Sequence, residues 1–432
     1  MSEKRINKIL FKLYSIMWDI AIPLLRLNPR LAEGFEHRTL KNPIPKADIW
    51  IQAASAGEAY LAELLLKELN PVFPIRIVVT SNTRQGIEIL LRAVREIKPD
   101  NRSIEAYAAY FPFDKPEFME KAVRQISPKV MVLLESEIWP GLLSALKKNN
   151  SKILIINGRM TSKSLKQYKI VSSSFWYSLR PDKVLAISKA DAERFAALFG
   201  MKNAEIMPNM KFDRFIENGF YKDNPLEKIF PADKPFLVLG SIGEQEESDI
   251  EKILLDIYQK IPDIIIGLFP RHIHRIRNWK KRLNEMGIPF QLRSEITEKT
   301  GNSFAVILWD MFGELHSAYS LAKAAFVGGS LAPLGGQNFL EALSCGIVPV
   351  IGPHWETFEW VGKRIKEDGL IRVASNWKEV ADILTEQMKH PKPRENVCEA
   401  AFRYIGNRKG GTNQACNLIR EVHLEANLFE KT

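Results

Sequence analysis

From residue 45 onward, short β-rich apolar runs alternate with stretches of helical period, and few architectures accept that alternation. A strand that rejoins its sheet in parallel needs a crossover, usually helical, so the pattern predicts βαβ units and a parallel sheet covered on both faces. Strand candidates in the first half are 48–52, 76–80, 106–111, 130–134, 152–156 and 183–187, with helices at about 58–69, 84–97, 115–126, 140–148 and 189–199. The stretch 208–235, rich in Asn, Asp, Lys and Pro, lacks a period and reads as a linker. Alternation resumes at 236–240, with further strands at 264–269, 289–292, 305–308, 324–327 and 348–351. At 432 residues the chain exceeds one small core, so the expectation is two doubly wound α/β lobes facing a central cleft lined by strand C-termini. The expected divisions are an N-terminal interfacial helix at 1–27, a first lobe at 28–215, a second lobe at 216–410, and a C-terminal helix at 411–432 packing back on the first lobe.

The N-terminal run Ile9–Leu27 is apolar but interrupted by charge, and no small-residue cleavage site follows it. At 100° per residue, Lys8, Lys12, Ser15, Asp19 and Arg26 share one side, flanked by Lys4 and Arg5. Aliphatic and aromatic residues fill the rest of the circumference. That layout predicts a helix lying in a membrane interface, basic stripe at the headgroups and Trp18 and Phe11 in the acyl boundary. The alternative is a helix docked on the protein's own core. Pro23 should kink or end it. The net charge of +10 suits an anionic membrane or phosphorylated substrates. Nothing but charge supports nucleic acid, because no helix-turn-helix, zinc-finger or aromatic RNP-type pattern accompanies it. Cys345, Cys398 and Cys416 are widely spaced and odd in number, which argues against a disulfide framework or a zinc site.

Several strand ends carry chemistry. Gln52-Ala53-Ala54-Ser55-Ala56-Gly57-Glu58 follows a strand and opens a helix, and its small residues let a ligand approach the backbone. Ser55 and Glu58 also have the spacing of a capping box, and the two roles are compatible. Glu135-Ser136-Glu137-Ile138-Trp139-Pro140 supplies two carboxylates and an aromatic wall at another strand end. Asn157 to Met160 and Lys211 to Asp213 are weaker signals, each readable as a salt-bridged turn. In the second half Arg271 and His272 follow a strand directly, and a guanidinium fork suits phosphate or carboxylate. Gly313 and Glu314 follow another strand. Gly328-Gly329 and Gly335-Gly336-Gln337-Asn338, then Glu341, suggest amides exposed to an anion at a helix start, with Glu341 on a ribose. The sequence holds neither a Walker loop nor a GxGxxG fingerprint. It also lacks an acidic Asp-x-Asp motif, so no metal or cofactor is expected and helix dipoles and cations would carry the leaving phosphate.

These blocks in this order resemble the 3-deoxy-D-manno-octulosonic acid (Kdo) transferases, inverting GT-B glycosyltransferases. The strongest matches are 55–58, 135–140, 211–213, 270–272 and 328–354. The resemblance implies transfer of Kdo from CMP-Kdo to lipid A precursor (lipid IVA) at the cytoplasmic face of the inner membrane. It implies Glu58 as general base, with Ser55, Gly57, Glu135 and Glu137 on the acceptor side. The donor set it implies is drawn from Arg271, His272, Gly313, Glu314, Gly335, Gly336, Gln337, Asn338 and Glu341. Gln337 and Gly243 stand where the family usually has histidine, and Pro208 where it usually has glycine. A sugar-nucleotide epimerase on the same fold is the alternative. It would not need the basic amphipathic N-terminus.

Overall fold

The structure, a computed structural model, describes residues 3–100, 103–201, 204–215, 224–230, 234–261, 263–296 and 305–429. The chain divides into two compact units, residues 1–214 with 408–432 and residues 215–407. Parts of the expected linker, 216–223 and 231–233, lie outside the described residues, as do the side chains of Lys4 and Arg5.

The first unit holds a seven-stranded sheet: β1 Ile49–Ala53, β2 Ile75–Ser81, β3 Ile104–Tyr110, β4 Val130–Leu134, β5 Lys152–Gly158, β6 Lys183–Ala186 and β7 Glu205–Ile206. Its order is β3-β2-β1-β4-β5-β6-β7, with every pairing parallel. Strands such as β1 and β4 are buried along their whole length, which is why they read as unbroken apolar runs rather than alternating ones. The order reverses between β1 and β4, and the crevice outside such a switch point is where doubly wound sheets bind ligands.

The second unit repeats the plan with β8 Phe236–Ile242, β9 Ile265–Pro270, β10 Phe290–Leu292, β11 Val306–Leu308, β12 Ala324–Val327, β13 Val350–Ile351 and β14 Arg372–Val373. Its order is β10-β11-β9-β8-β12-β13-β14, so its switch point lies between β8 and β12.

Five helices frame the two switch points or close the first unit: α1 Glu3–Leu25, α2 Ala56–Glu68, α3 Pro140–Lys148, α4 Leu340–Ser344 and α5 Gly411–Phe429. Helix α5 buries Ala415, Cys416, Ile419 and Val422 against the first sheet's core. Asp213 caps its start by accepting from the Gly410 and Thr412 amides and the Thr412 hydroxyl. That explains the 211–213 block. Its aspartate ties the returning helix to the first unit.

Helix α1 corrects part of the expectation. Phe11 packs against Phe175 and Trp18 against Phe113, so these aromatics face the lobe's own core, not a bilayer. The Tyr14 hydroxyl donates to buried Asp114, whose carboxylate also accepts the Gly141 and Leu142 amides at the start of α3. Asp19 pairs with Lys115 and Ser15 donates to Glu117, so two of the five residues on the polar stripe are used in docking. Yet Ile9, Leu13, Ile16, Met17, Ile20, Leu24 and Leu27 are exposed on one arc of about 100°. The wide apolar circumference serves two surfaces, one docked and one bare. Pro23 sits inside the helix two residues before its end. Among the described residues no helix is long and apolar enough to cross a membrane.

Candidate active site

The first unit's switch point gathers carboxylates. Ser55 caps α2, accepting the Glu58 amide through its hydroxyl, and that hydroxyl donates to Glu58 Oε1 at 3.0 Å. Glu58 Oε2 accepts the Ala54 amide at 2.7 Å. The capping reading therefore holds, shifted by one residue because the carboxylate takes the amide before the cap. Gly57 has only the Ser55 hydroxyl near the space a Cβ would fill, so the backbone there is open to approach.

From β4 come Glu135 and Glu137. Glu135 sits in the left-handed region at φ 56°, a conformation that costs a non-glycine residue energy and is held here by its surroundings. Its amide donates to Ile156 O, and Lys211 Nζ lies 2.5 Å from its Oε1. Glu137 Oε2 accepts from the Trp139 indole at 2.6 Å and from Gln52 Nε2 at 3.3 Å. Behind Gln52 runs a buried chain in which Trp50 donates to Thr80 and Thr80 to Gln52 Oε1. Gln52 is fully buried at the end of an apolar strand, and burying an amide costs energy unless it is bonded. That mismatch is the sequence signal by which this positioning residue could have been found.

Two forces oppose each other at Glu58. A helix N-terminus and two hydrogen bonds favour the carboxylate, whereas burial and neighbouring charges favour the acid. Burial wins. It is the largest cause, Glu137 and then Glu135 add to it, and together they push the Glu58 carboxyl up to about 8 against the Ala54 and Ser55 bonds. A carboxylate so raised is a strong enough base to take a proton from a hydroxyl near neutral pH.

The second unit's switch point is built differently. Glu246, buried after β8, accepts the amides of Gly243 at 2.8 Å, Gly329 at 2.5 Å, Ser330 at 3.2 Å and Leu331 at 3.3 Å. Of the Gly328-Gly329 amides expected to meet a ligand anion, Gly329's meets this internal one and Gly328's donates to Gly240 O. A Cβ at Gly328 would stand 2.5 Å from Glu246 Oε1 and 2.6 Å from Ser241 O, so only glycine permits this approach. Sequence reading missed Glu246 because a string of acidic residues opening a helix looks like ordinary dipole compensation.

The Gly335-Gly336 helix start also needs correction. Both glycines have positive φ, but α4 begins four residues later and runs for 5 residues. The Gly336 amide donates to Gly329 O and the Gln337 amide to Gly328 O, so these groups brace the loop rather than face an anion. Asn338 Nδ2 donates to Glu341 Oε1 at 2.8 Å, which places these two candidates together. Arg271 and His272 are exposed after β9, and Gly313 after β11. Glu314 is engaged elsewhere, accepting both arms of Arg293 and the Trp309 indole. Among the described residues no group of three His, Cys, Asp or Glu is placed to hold a metal ion.

Two doubly wound parallel lobes define the GT-B class of fold. A solved glycosyltransferase from Rickettsia africae shares this fold at TM-score 0.56 and 12% identity, covering 89% of this chain and 99% of that one. The family model for 3-deoxy-D-manno-octulosonic-acid transferase matches residues 26–214, the unit that carries Glu58. Residues 26–214 thus carry the match to a Kdo transferase domain, and relatives named as Kdo transferases are similar at 26–29% identity over most of the chain. A 3-deoxy-D-manno-octulosonic acid transferase of Haemophilus influenzae is 26% identical over 410 residues, covering 93% of each chain. A bifunctional glycosyltransferase/methyltransferase of Fusobacterium nucleatum is 28% identical over 82% of this chain. This chain spans only 55% of that relative's length.

Proposed function

We propose that the protein moves Kdo from CMP-Kdo to a sugar hydroxyl of a lipid A precursor with inversion, in lipopolysaccharide biosynthesis. The observation that carries this reading is Glu58, a carboxyl pushed up to about 8 at the switch point of the lobe that matches the family. The Glu58 carboxylate takes the proton of the acceptor hydroxyl, whose oxygen attacks the anomeric carbon of Kdo. The bond from that carbon to the CMP phosphate oxygen breaks, and CMP leaves with the electron pair. Lys211 holds Glu135, and Gln52 and Trp139 hold Glu137, so the two acids that raise Glu58 are themselves fixed. Arg271 takes the donor's phosphate or carboxylate, and Asn338 and Glu341 the ribose. No divalent ion or cofactor takes part, so EDTA leaves activity unchanged. Incubating the full chain with CMP-Kdo and lipid A precursor and weighing the lipid tests the function directly. A mass gain of whole Kdo units is expected, and an unchanged lipid with intact donor would overturn it.

Helix α1 supports a place at the cytoplasmic face of the inner membrane. Its bare apolar arc enters the interface while Lys8, Lys12 and Arg26 lie beside anionic headgroups, each basic residue contributing about 1 kcal/mol. The two faces of α1 separate under mutation. Ile9, Leu13 and Ile20 together changed to Ser should release the protein from anionic vesicles without lowering its melting temperature. Deleting residues 1–27 should do both, because it uncovers Phe113, Asp114 and Phe175. A Ser variant that still sediments with vesicles would remove the interfacial role.

A further inference from the structure

An apolar cavity of about 140 Å³ lies in the first unit between α1 and the C-terminal ends of β2 and β3. Trp18 and Leu25 of α1 form one wall, and Leu31, Phe111, Phe113 and Trp139 form much of the rest. Apart from the Trp18 indole N–H, buried without a partner, its polar wall groups are largely engaged. The Arg38 guanidinium donates to Glu33 O and Asn82 O and lies 4.6 Å from the Tyr110 ring centre. Asp114 accepts from Tyr14, Gly141 and Leu142, and Asn82 Oδ1 accepts from Gln52. A polar guest would find few partners there. The pocket is half open and mostly apolar, so a run of methylenes entering from outside suits it better than a polar group.

Two connections identify the hydrocarbon. One wall belongs to α1, whose opposite arc is the bare apolar stripe, so a chain leaving a bilayer beside α1 finds further apolar surface on the same helix. On the far side, Trp139 donates to Glu137 and Asn82 accepts from Gln52, which donates to Glu137. The cavity is thus one or two hydrogen bonds from Glu137, one of the two acids that raise Glu58. We propose that it takes part of one acyl chain of the lipid acceptor, fixing the acceptor's headgroup over Glu58. This rests on the acceptor being a lipid, as proposed above.

The test compares acceptors that share one phosphorylated disaccharide head and differ in carrying or lacking acyl chains, using the full protein in detergent. Leu31→Trp fills the cavity. It should raise KM for the acylated acceptor at least about tenfold while leaving the slow reaction of the deacylated one unchanged. Equal losses on both acceptors, or none on the acylated one, would overturn the proposal. So would weaker binding to phospholipid vesicles with an unchanged acylated-acceptor KM, which would assign the cavity to a bilayer lipid. A second readout is independent of catalysis. A bromine-labelled fatty acid below its micellar concentration should quench wild-type tryptophan fluorescence, and the double change Trp18→Phe, Trp139→Phe should remove that component. Absent quenching sinks the cavity assignment, whereas quenching without transfer by the wild type to either acceptor sinks only the proposed function.

Discussion

The two units are both seven-stranded and doubly wound, though the second inserts β11 between β10 and β9, and each places a glutamate just beyond its first strand, at the switch point, yet the environments of Glu58 and Glu246 differ. Glu246 is ringed by four amides and Glu58 by two hydrogen bonds and two other carboxylates. Burial wins at both and leaves each above its ordinary value, but at Glu246 every other cause, all of them amide bonds, opposes it, whereas at Glu58 two carboxylates add to it. The lesson is that position in the fold does not assign a role. A carboxylate saturated with donors is tied into the structure, and one left beside its own kind is the candidate base. The comparison makes separate demands on each residue.

Its largest expected effect is at Glu58. Glu58→Gln keeps an oxygen for the Ala54 amide but offers no basic oxygen for the acceptor's proton, so turnover should fall at least about 100-fold. Donor affinity by calorimetry should stay near wild type. A fall of less than tenfold would leave Glu58 a cap and move the base to Glu135 or Glu137.

Glu341→Ala should act on the donor instead. A ribose contact is similar in ground and transition states, and losing its hydrogen bonds should raise the donor KM by roughly 30-fold with kcat little changed. An unchanged donor KM would reduce Glu341 to the partner of Asn338.

Glu246→Gln probes the saturated carboxylate. The new NH2 group would face amides that need an acceptor, costing roughly 1–3 kcal/mol of stability in denaturant unfolding. The same loop is braced by Gly336 and Gln337, so the donor KM should also rise, by about tenfold. Loss of turnover with intact donor binding would contradict the contrast, because Glu246 would then share the work of Glu58.

The smallest effect is in stability. The folded protein holds the Glu58 proton to about 8 while the ordinary value is 4.5, so stability falls as pH rises between these values. Glu58→Gln removes that loss. At pH 9 the variant should be the more stable by roughly 1–3 kcal/mol, and below pH 4 the difference should vanish. Equal stability at both pH values would mean that Glu58 is not raised.

Much of this was legible in residues. The places of the longer strands followed from apolar runs, since parallel strands buried on both faces leave no alternation to misread. Glu58, Glu135 and Glu137 were legible as a cluster because each follows closely on a strand of the sheet, Glu58 in the first turn of α2. Short elements without a full period were not legible, such as β7 and β14, two residues each. The fate of the glycine loops was hidden for another reason. Whether an exposed-looking amide meets a ligand or an internal carboxylate depends on residues some 80 positions apart, as with Glu246 and Gly329. The two faces of α1 were misassigned likewise, because a helical wheel gives angles but not which arc has a partner.

The central claim is that burial and two neighbouring acids tune Glu58 into the base, and the pH dependence of kcat/KM tests it most directly. For the wild type, kcat/KM should rise about tenfold per pH unit and level off above about 8, because only the deprotonated Glu58 accepts the proton. Glu58→Gln should lie at least about 100-fold lower and show no break near that pH. A wild-type profile with no break near 8, or a Gln variant that keeps it, would contradict the claim.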